Sequence, residues 1–501
     1  MSIEKLNNLD NFILKTESKN LTWTVALMWT FEKSIDVNSL TDLFQNLVEE
    51  FPRFKSRPVG DHFWWTHSWE KIKDFNVSDC IEAYTLPLPG SKDELEAYFG
   101  KVIEERFDLS RALWRCYVVY GLDGGQGSAV IIKAHHCITD GEGFMRAALL
   151  ASLGWEKLEQ AFKIMRDRLN TPKPKPSELP ILRLSFIRPH VNRIPSGLID
   201  TYLFLLQIFS IFTWIIAGFV NSLKLTALLL FTSRKNFRCD LNTHQESSTR
   251  TKRISWSDEI SIDDIRIPRK AFNASLNDVM VATVIRAIRK YLVEINRIKD
   301  NDIVLFIPLS MRKVNDFRCE NIVSGAFTPF PFVDLTTKQL IKAVHKKMSL
   351  VKCSIFPVLI HAIGEKLIVP GLTSKTFNDW LTSWGHGVLT NVPGPAIPIT
   401  VAGQTVQRFF ALPPQNTYGS LGMGILSYNN KLSFCVLTDD LIEYPLLARR
   451  VSKLFNEEFN RIVADAKIEL ERIEKGIIDE DEDKDDKIEL LKIAGILVLA
   501  F

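Results

Sequence analysis

The chain predicts an α/β fold in two units of the same kind, each mixing strands with flanking helices, and three observations carry that expectation. First, TWTVALMWTFE, Thr22 to Glu32, alternates apolar and polar residues as a half-buried strand does. SIDVNSLTDLFQNLVEEFPRF follows with the period of an amphipathic helix that Pro52 stops. Second, the pattern returns far downstream: SLNDVMVATVIRAIRKYLVEI is a strong helix with Asn277 and Asp278 in its first turn, and IVLFIPLS after it reads as a buried strand. Third, the stretch TPKPKPSELPILRLSFIRPHVNRIP, Thr171 to Pro195, is rich in proline and cations and reads as an exposed linker between the two. With 501 residues, each unit is large enough to bury its own core.

The remaining elements follow from local punctuation. DELEAYFGKVIEERFD from Asp93 has a helical period, and ALWRCYVVYGL and SAVIIKAHH read as strands joined by a hairpin turn at GLDGGQGS. Those glycines are not a phosphate loop, because Ser128 leads into a β-branched apolar run and no Lys-Ser/Thr pair opens a helix there. Later come GVLTNVPGP, GILSYNNKLSFCVLTDD with a hairpin at Asn429 and Asn430, and a final amphipathic helix from Tyr444 to about Arg472. These signals divide the chain into an N-terminal half, residues 1–165, a linker, 166–250, a C-terminal half, 251–475, and a tail, 476–501. The tail opens on the acidic block DEDEDKDD, Asp479 to Asp486, and ends on IAGILVLAF, too short to span a membrane.

Composition narrows the function classes. A net charge of 62 − 59 = +3 is too small to suggest nucleic acid as a partner. Seven cysteines scattered singly give neither a disulfide framework nor a thiolate zinc site, and the nine histidines lack zinc-finger spacing, so no metal is expected. Mean hydropathy, +0.02, is high for a chain that is 24% charged. The cause is TYLFLLQIFSIFTWIIAGFVNS, Thr201 to Ser222, which carries no charge. The run continues through LKLTALLLF to Phe231 before Arg234, Lys235 and Arg238 close it. This segment, about 201–231, predicts membrane contact. A single crossing would place the N- and C-terminal halves on opposite faces of the membrane, where they could not share a site. A hairpin or an in-plane segment is therefore expected, with both flanks on one side. The start, MSIEKLNNLDNF, lacks the pattern of a cleaved signal, which places the bulk of the chain facing cytosol.

Chemistry concentrates in KAHHCITDGEGF, Lys133 to Phe144, where a strand ends in two histidines and Asp140-Gly141 stand at a turn entering a helix. A histidine there can project into a cleft as a general base, since its ring titrates near neutral pH. Asp140 can fix the loop by pairing with a cation, or simply cap the following helix, and Gly141 permits a tight backbone. A histidine pair can equally be structural. HxxxD could place two metal ligands together only on a helix, and no third ligand accompanies it. No GxSxG elbow points to a serine hydrolase, and Cys137 as a nucleophile would need its own base.

HHCITDG resembles the HHxxxDG signature of the CoA-dependent acyltransferase superfamily, and its surroundings resemble the bacterial and plant wax ester synthase/diacylglycerol acyltransferases. LNNLDNFILKTESKN resembles that family's opening, and FPRF and ERFDLSRALW its donor-half landmarks. SLNDVM resembles its Asn-Asp motif, and LTNVPGP with VAGQTV its C-terminal block, so the resemblance runs from about Leu6 to Val463. Two departures stand out: Ala112 replaces the family's proline before Leu-Trp, and Glu320-Asn321 replaces its Gly-Asn pair.

The resemblance implies two chloramphenicol-acetyltransferase-like domains, each a mixed sheet flanked by helices, with a tunnel between them and His136 at its middle. It implies an O-acyltransferase moving a fatty acyl group from acyl-CoA to the hydroxyl of a long-chain alcohol or diacylglycerol. His136 acts as general base, His135 packs behind it, and no cofactor is needed beyond the acyl-CoA substrate. Arg312 in PLSMR is the expected ion-pair partner of Asp140. Thr390 or Asn391 could donate to an oxyanion or merely shape a proline turn, and Asn277 and Asp278 could line the cleft or cap their helix. The expected location is a membrane or lipid-droplet surface, at the endoplasmic reticulum with a cytosolic active site. The alternatives are a relative acting on another alcohol and a non-catalytic lipid-binding protein of the same fold.

Overall fold

A computed structural model of the chain describes residues 4–17, 22–61, 66–152, 216, 218–224, 227, 251–298, 302–313, 316–352, 354, 356–367, 385–415 and 419–475. In chain order, the N-terminal half contains β1 (Glu4–Lys5), α1 (Asn8–Thr16), β2 (Thr24–Phe31), α2 (Val37–Glu50), β3 (Ser56–Asp61), β4 (Thr66–Lys71), β5 (Ile81–Thr85), α3 (Lys92–Glu104), β6 (Trp114–Gly121), β7 (Gly127–His135) and helix α4, residues 141–152. The C-terminal half contains β8 (Lys252–Trp256), β9 (Ile260–Ser261), α5 (Ile262–Ala271), α6 (Leu276–Glu294), β10 (Ile303–Ser310), β11 (Val323–Phe330), α7 (Thr337–Lys352) and α8 (Phe356–Leu367). After these come β12 (Gly387–Pro393), β13 (Thr400–Val401), β14 (Gln404–Thr405), β15 (Arg408–Leu412), β16 (Leu421–Tyr428), β17 (Lys431–Asp439) and α9 (Leu447–Glu474). The linker proper, most of 201–231 and the acidic tail lie outside the described residues, as does the expected topology of both flanks.

Helix starts follow local chemistry. Asp36 caps α2 through the Ser39 N–H, and Ser91 and Ser275 open α3 and α6 with reciprocal capping boxes. Asn429 and Asn430, both at positive φ, turn β16 into β17, as the Asn-Asn pair predicts.

One sheet runs β15-β2-β7-β6-β5, and the other β11-β10-β12-β16-β17-β8 with β9 also on β17. Both are mixed: β5 runs parallel to β6, and β12 runs parallel to β10 and β16. The halves are not self-contained. β15 lies in sequence among the strands of the second sheet, yet it pairs antiparallel with β2 of the first, Arg408 opposite Thr30.

Where the sequence predicts a half-buried strand, β2 is buried on both faces. Val25, Leu27, Trp29 and Phe31 join a core with α2 and α4, whereas Ala26 and Met28 face a second core with Leu95, Phe99 and Val102 of α3, Trp256 of β8 and Phe410 of β15. That second core is built from both halves and fastens them together. The C-terminal half keeps its own core, in which α6 and α9 cover the second sheet.

Candidate active site

β7 is buried along its whole length and delivers the two histidines at its end, where Thr24 of β2 stands opposite His135. The chain then turns sharply. The Ile138 N–H bonds the His135 carbonyl at 3.0 Å, the Gly143 N–H bonds Asp140 Oδ1 at 2.8 Å, and α4 begins. Asp140 is therefore the N-cap of α4. Phe144 of that helix stacks on Phe54 of the FPRF stretch, which holds the helix against the core.

The two histidines differ in what their ring nitrogens do. His135 Nδ1 accepts the Cys137 N–H at 3.1 Å, so its proton sits on Nε2, 3.2 Å from the buried Glu17 carboxylate. Both nitrogens are engaged, and the ring is fully buried behind Phe107. His136 makes its hydrogen bonds through its backbone. Its N–H donates to the Trp23 carbonyl and its own carbonyl accepts from Asn321 Nδ2, both at 2.7 Å. Its ring meets Trp23 edge-on at 6.0 Å and is half-buried, with Nδ1 sealed from solvent and without a well-formed hydrogen bond among the described residues.

Burial pushes the pKa of His136 below the usual imidazole value, against the pull of Asp140, Asn321 and its own carbonyl in the other direction. At neutral pH the ring is consequently uncharged and has a lone pair to offer. A reaction that needs this lone pair fails as pH falls through the lowered pKa.

Asp140 and Arg312 pair as the sequence reading expects. Arg312 Nε lies 3.1 Å from both carboxylate oxygens and Nη2 3.0 Å from Oδ2, with both side chains buried. The Ile322 N–H adds a bond to Oδ2 at 2.8 Å, and Arg312 also donates to Thr139 Oγ1 and to the carbonyls of Arg318 and Glu320. Asp140 thus caps a helix of the N-terminal half and anchors a cation of the C-terminal half at once. Gly141 differs from expectation. Its backbone needs no positive φ and a Cβ there would meet open space, whereas a Cβ on Gly143 would lie 2.1 Å from Thr139 Oγ1 and 2.5 Å from Arg312. Gly143 is the glycine the ion pair requires.

Three functional residues are not assigned by the sequence: Asp10, Arg53 and Asn321. Arg53 Nη1 bonds Asp10 Oδ2 at 2.8 Å and the Ile138 carbonyl at 3.1 Å, while its other nitrogens hold Glu4. Asp10 Oδ1 accepts from Asn321. The histidine loop is gripped in this way from α1, from FPRF and from the C-terminal half. The only sequence signal is the presence of these residues within LNNLDNF, FPRF and Glu320-Asn321.

The other candidates fall elsewhere. Asn391 on β12 donates to Asn277 Oδ1 at 2.6 Å, joining those two, and Thr390 precedes it on the strand. Asp278 is buried in the capping box and pairs with His345 at 2.8 Å. Burial would raise its carboxyl, but His345 and Ser275 outweigh it and hold the carboxyl below its usual value. Among the described residues no hydrogen bond or ion pair joins these four to His136 or Asp140. Cys137 is fully buried, which raises its thiol pKa strongly and disfavours a thiolate. Among the described residues no three His, Cys, Asp or Glu side chains converge as metal ligands.

Comparison with known proteins gives a consistent picture. Residues 6–280 match the wax ester synthase/diacylglycerol acyltransferase catalytic domain, and residues 320–462 match the WS/DGAT C-terminal domain. A probable diacylglycerol O-acyltransferase, tgs1 of Mycobacterium tuberculosis, is 24% identical over 74% of this chain and 76% of its own. A second one from the same species, Tgs4, is 22% identical over 92% of this chain and 97% of its own. In structure, the wax ester synthase/diacylglycerol acyltransferase from Marinobacter aquaeolei VT8 superposes with a TM-score of 0.56 at 16% identity, covering 92% of this chain and 99% of that one. The first condensation domain of the calcium-dependent antibiotic synthetase gives 0.54 at 11%, covering 93% and 97%. At such identities the structural likeness speaks to fold alone, and the fold is the two-domain chloramphenicol-acetyltransferase-like one that the sequence predicts.

Proposed function

The chain belongs to the wax ester synthase/diacylglycerol acyltransferase family, and from that membership we propose that it esterifies a long-chain alcohol or diacylglycerol with the acyl group of acyl-CoA, using His136 as general base. The observation that carries the base assignment is the contrast within the pair: both ring nitrogens of His135 are occupied, whereas among the described residues none hydrogen-bonds Nε2 of the half-buried His136 ring. Nδ1 is the sealed nitrogen, which leaves Nε2 for substrate. Nε2 takes the proton of the acceptor hydroxyl as its oxygen attacks the thioester carbonyl. The tetrahedral intermediate then collapses, the C–S bond breaks, and the departing CoA sulfur takes the proton back from the imidazolium. The acyl group arrives activated as a thioester, so the transfer requires no cofactor. Asp140 and Arg312 hold the loop and touch no reacting atom.

The acceptors are lipids, and the enzyme collects them at a membrane or droplet surface, on the cytosolic face of the endoplasmic reticulum. Supporting this, the helical residues 218–224 expose Phe219, Val220 and Leu223, and Ser222 ties them to Ser354 at 2.9 Å, just before α8, which exposes Val358, Leu359 and Ile360. No helix of the described residues is long and apolar enough to cross a membrane. Purified protein given palmitoyl-CoA and vesicles carrying either hexadecanol or dioleoylglycerol is expected to form wax ester or triacylglycerol. The double variant Phe219→Asp, Leu223→Asp is expected to float less with vesicles and to show a raised KM for vesicle-borne acceptor, with activity on a soluble short-chain alcohol retained. No ester with either acceptor refutes the activity, and unchanged flotation of the variant refutes the surface.

A further inference from the structure

Asn321 is 2% exposed and lies in the C-terminal half, yet its side chain is committed to the histidine loop. Its two amide hydrogens are both used at 2.7 Å, one on Asp10 Oδ1 and one on the His136 carbonyl, and its backbone N–H adds a third bond, to Asp10 Oδ1 at 3.2 Å. These partners are acceptors only, so the amide cannot be flipped: exchanging N and O would set Oδ1 against a carboxylate and a carbonyl. The position of Oδ1 is thereby fixed. Two buried polar atoms in this small volume have no hydrogen-bond partner, Asn321 Oδ1 and His136 Nδ1. Leaving either unmatched costs about 1 to 3 kcal/mol, and Asn321 Oδ1 can accept from the ring only if Nδ1 carries the proton, for which the carbonyl of His136 is the competing acceptor.

We propose that Asn321 is a positioning residue that holds the proton of neutral His136 on Nδ1, so that the lone pair lies on Nε2, and that Asp10 aims Asn321 for this purpose. The inference rests on the reading of His136 as the base. A hydrogen bond from Nδ1–H to Oδ1 also stabilises the imidazolium formed during transfer, since the donor is then part of a cation. In agreement, the Asn321 side chain is among the groups that raise the pKa of His136 against burial.

The charged and titratable groups around the ring are Asp140 and His135 of its own loop, Asp10 on α1, Arg53 after α2, and Arg312 after β10. Glu17 lies behind His135. Burial lifts the Asp10 carboxyl to about 6 against the pull of Arg53 and Asn321, so it is an ionised acceptor above that pH. Because Asp10 titrates close to the imidazole range, a rate profile alone does not isolate Asn321, and the test reads the ring directly.

The probe is the full chain with ring-¹⁵N histidine, the His136 signals being assigned among nine histidines by their loss in His136→Ala. At about pH 7.5, where a neutral imidazole dominates, wild-type His136 is expected to show a protonated Nδ1 and a bare Nε2. In Asn321→Ala the proton is expected to move toward Nε2 and the acid limb of kcat/KM to shift to lower pH. kcat is expected to fall about 10- to 100-fold, the scale of one hydrogen bond to a group that becomes charged, with KM for acyl-CoA unchanged. A proton on Nε2 of wild-type His136 overturns the proposal without any variant having to fold, as does a folded Asn321→Ala with the wild-type tautomer. The two readings fail separately: full activity of His136→Ala removes the base, while only the tautomer decides the role of Asn321.

Discussion

His136→Ala is expected to lower acyl transfer by roughly 10²- to 10⁴-fold, the usual contribution of a positioned general base, while the protein keeps its melting temperature. Stability survives because the bonds His136 contributes come from its backbone, to Trp23 and from Asn321, and an alanine retains both. The ring itself stands to lose only the proposed contact of Nδ1–H with Asn321 Oδ1, which is small beside the retained backbone bonds. His135→Ala should behave in the opposite way. It removes the acceptor of the Cys137 N–H and the nearest partner of the buried Glu17 carboxylate, leaving that group only Arg106 at 3.8 Å, so its larger effect is on stability and its activity loss is the smaller of the two. Paired rate and melting measurements on both variants separate the two roles.

Breaking the Asp140–Arg312 pair is expected to be the more damaging to the fold. Both side chains are buried, and removing Arg312 leaves the Asp140 carboxylate without its counter-ion, at a cost of about 3 to 5 kcal/mol, while removing the Asp140 charge leaves Arg312 only Asp316 at 4.0 Å. Arg312→Ala should therefore lose activity and thermal stability together, and so should Asp140→Asn, which keeps the shape but loses the charge. Arg312→Lys should rescue little, since a lysine cannot reproduce the forked contact of Nε and Nη2 with the two carboxylate oxygens. In a double-mutant cycle the pair should couple strongly, because once one partner is gone the second loss costs little. Additive effects would exclude a direct energetic pairing. A loss of rate with no loss of stability would give Asp140 a role in proton transfer instead of in holding the loop.

What can be read in the sequence is what local chemistry decides. α6 and β10 announce themselves by period and punctuation, and the Asn-Asn hairpin by its tolerance of positive φ. Tertiary effects are hidden. β2 alternates in type like a half-buried strand, but α3 and β8 arrive from distant sequence to cover its second face, beside Phe410 of the neighbouring strand β15. The five residues of β15 give too short a pattern to say which sheet they join, and they join the one belonging to the other half.

The same division holds at the site. HHCITDG singles out His136 and Asp140, because a strand end followed by a turn is a local event, and the family resemblance directs attention to Arg312. Asp10, Arg53 and Asn321 sit in segments that the sequence marks only as landmarks. The contacts that give them meaning join residues 311, 85 and 185 positions apart, which no local pattern encodes. Gly141 draws attention as the tight turn because it follows the aspartate. The crowding that demands a glycine falls two residues later, where Arg312 crosses the start of α4.

In the proposed reaction one imidazole passes the proton from acceptor to leaving sulfur in a direct transfer, with no acyl group resting on the protein. Rapid mixing of the wild-type enzyme with acyl-CoA, with and without a long-chain alcohol, tests this by following free CoA thiol alongside ester. No stoichiometric release of CoA is expected until the alcohol is present, after which CoA and ester should appear together with one rate constant. A burst of CoA equal to the enzyme concentration in the absence of alcohol, with the acyl group recovered on the protein and not as free fatty acid, would contradict it.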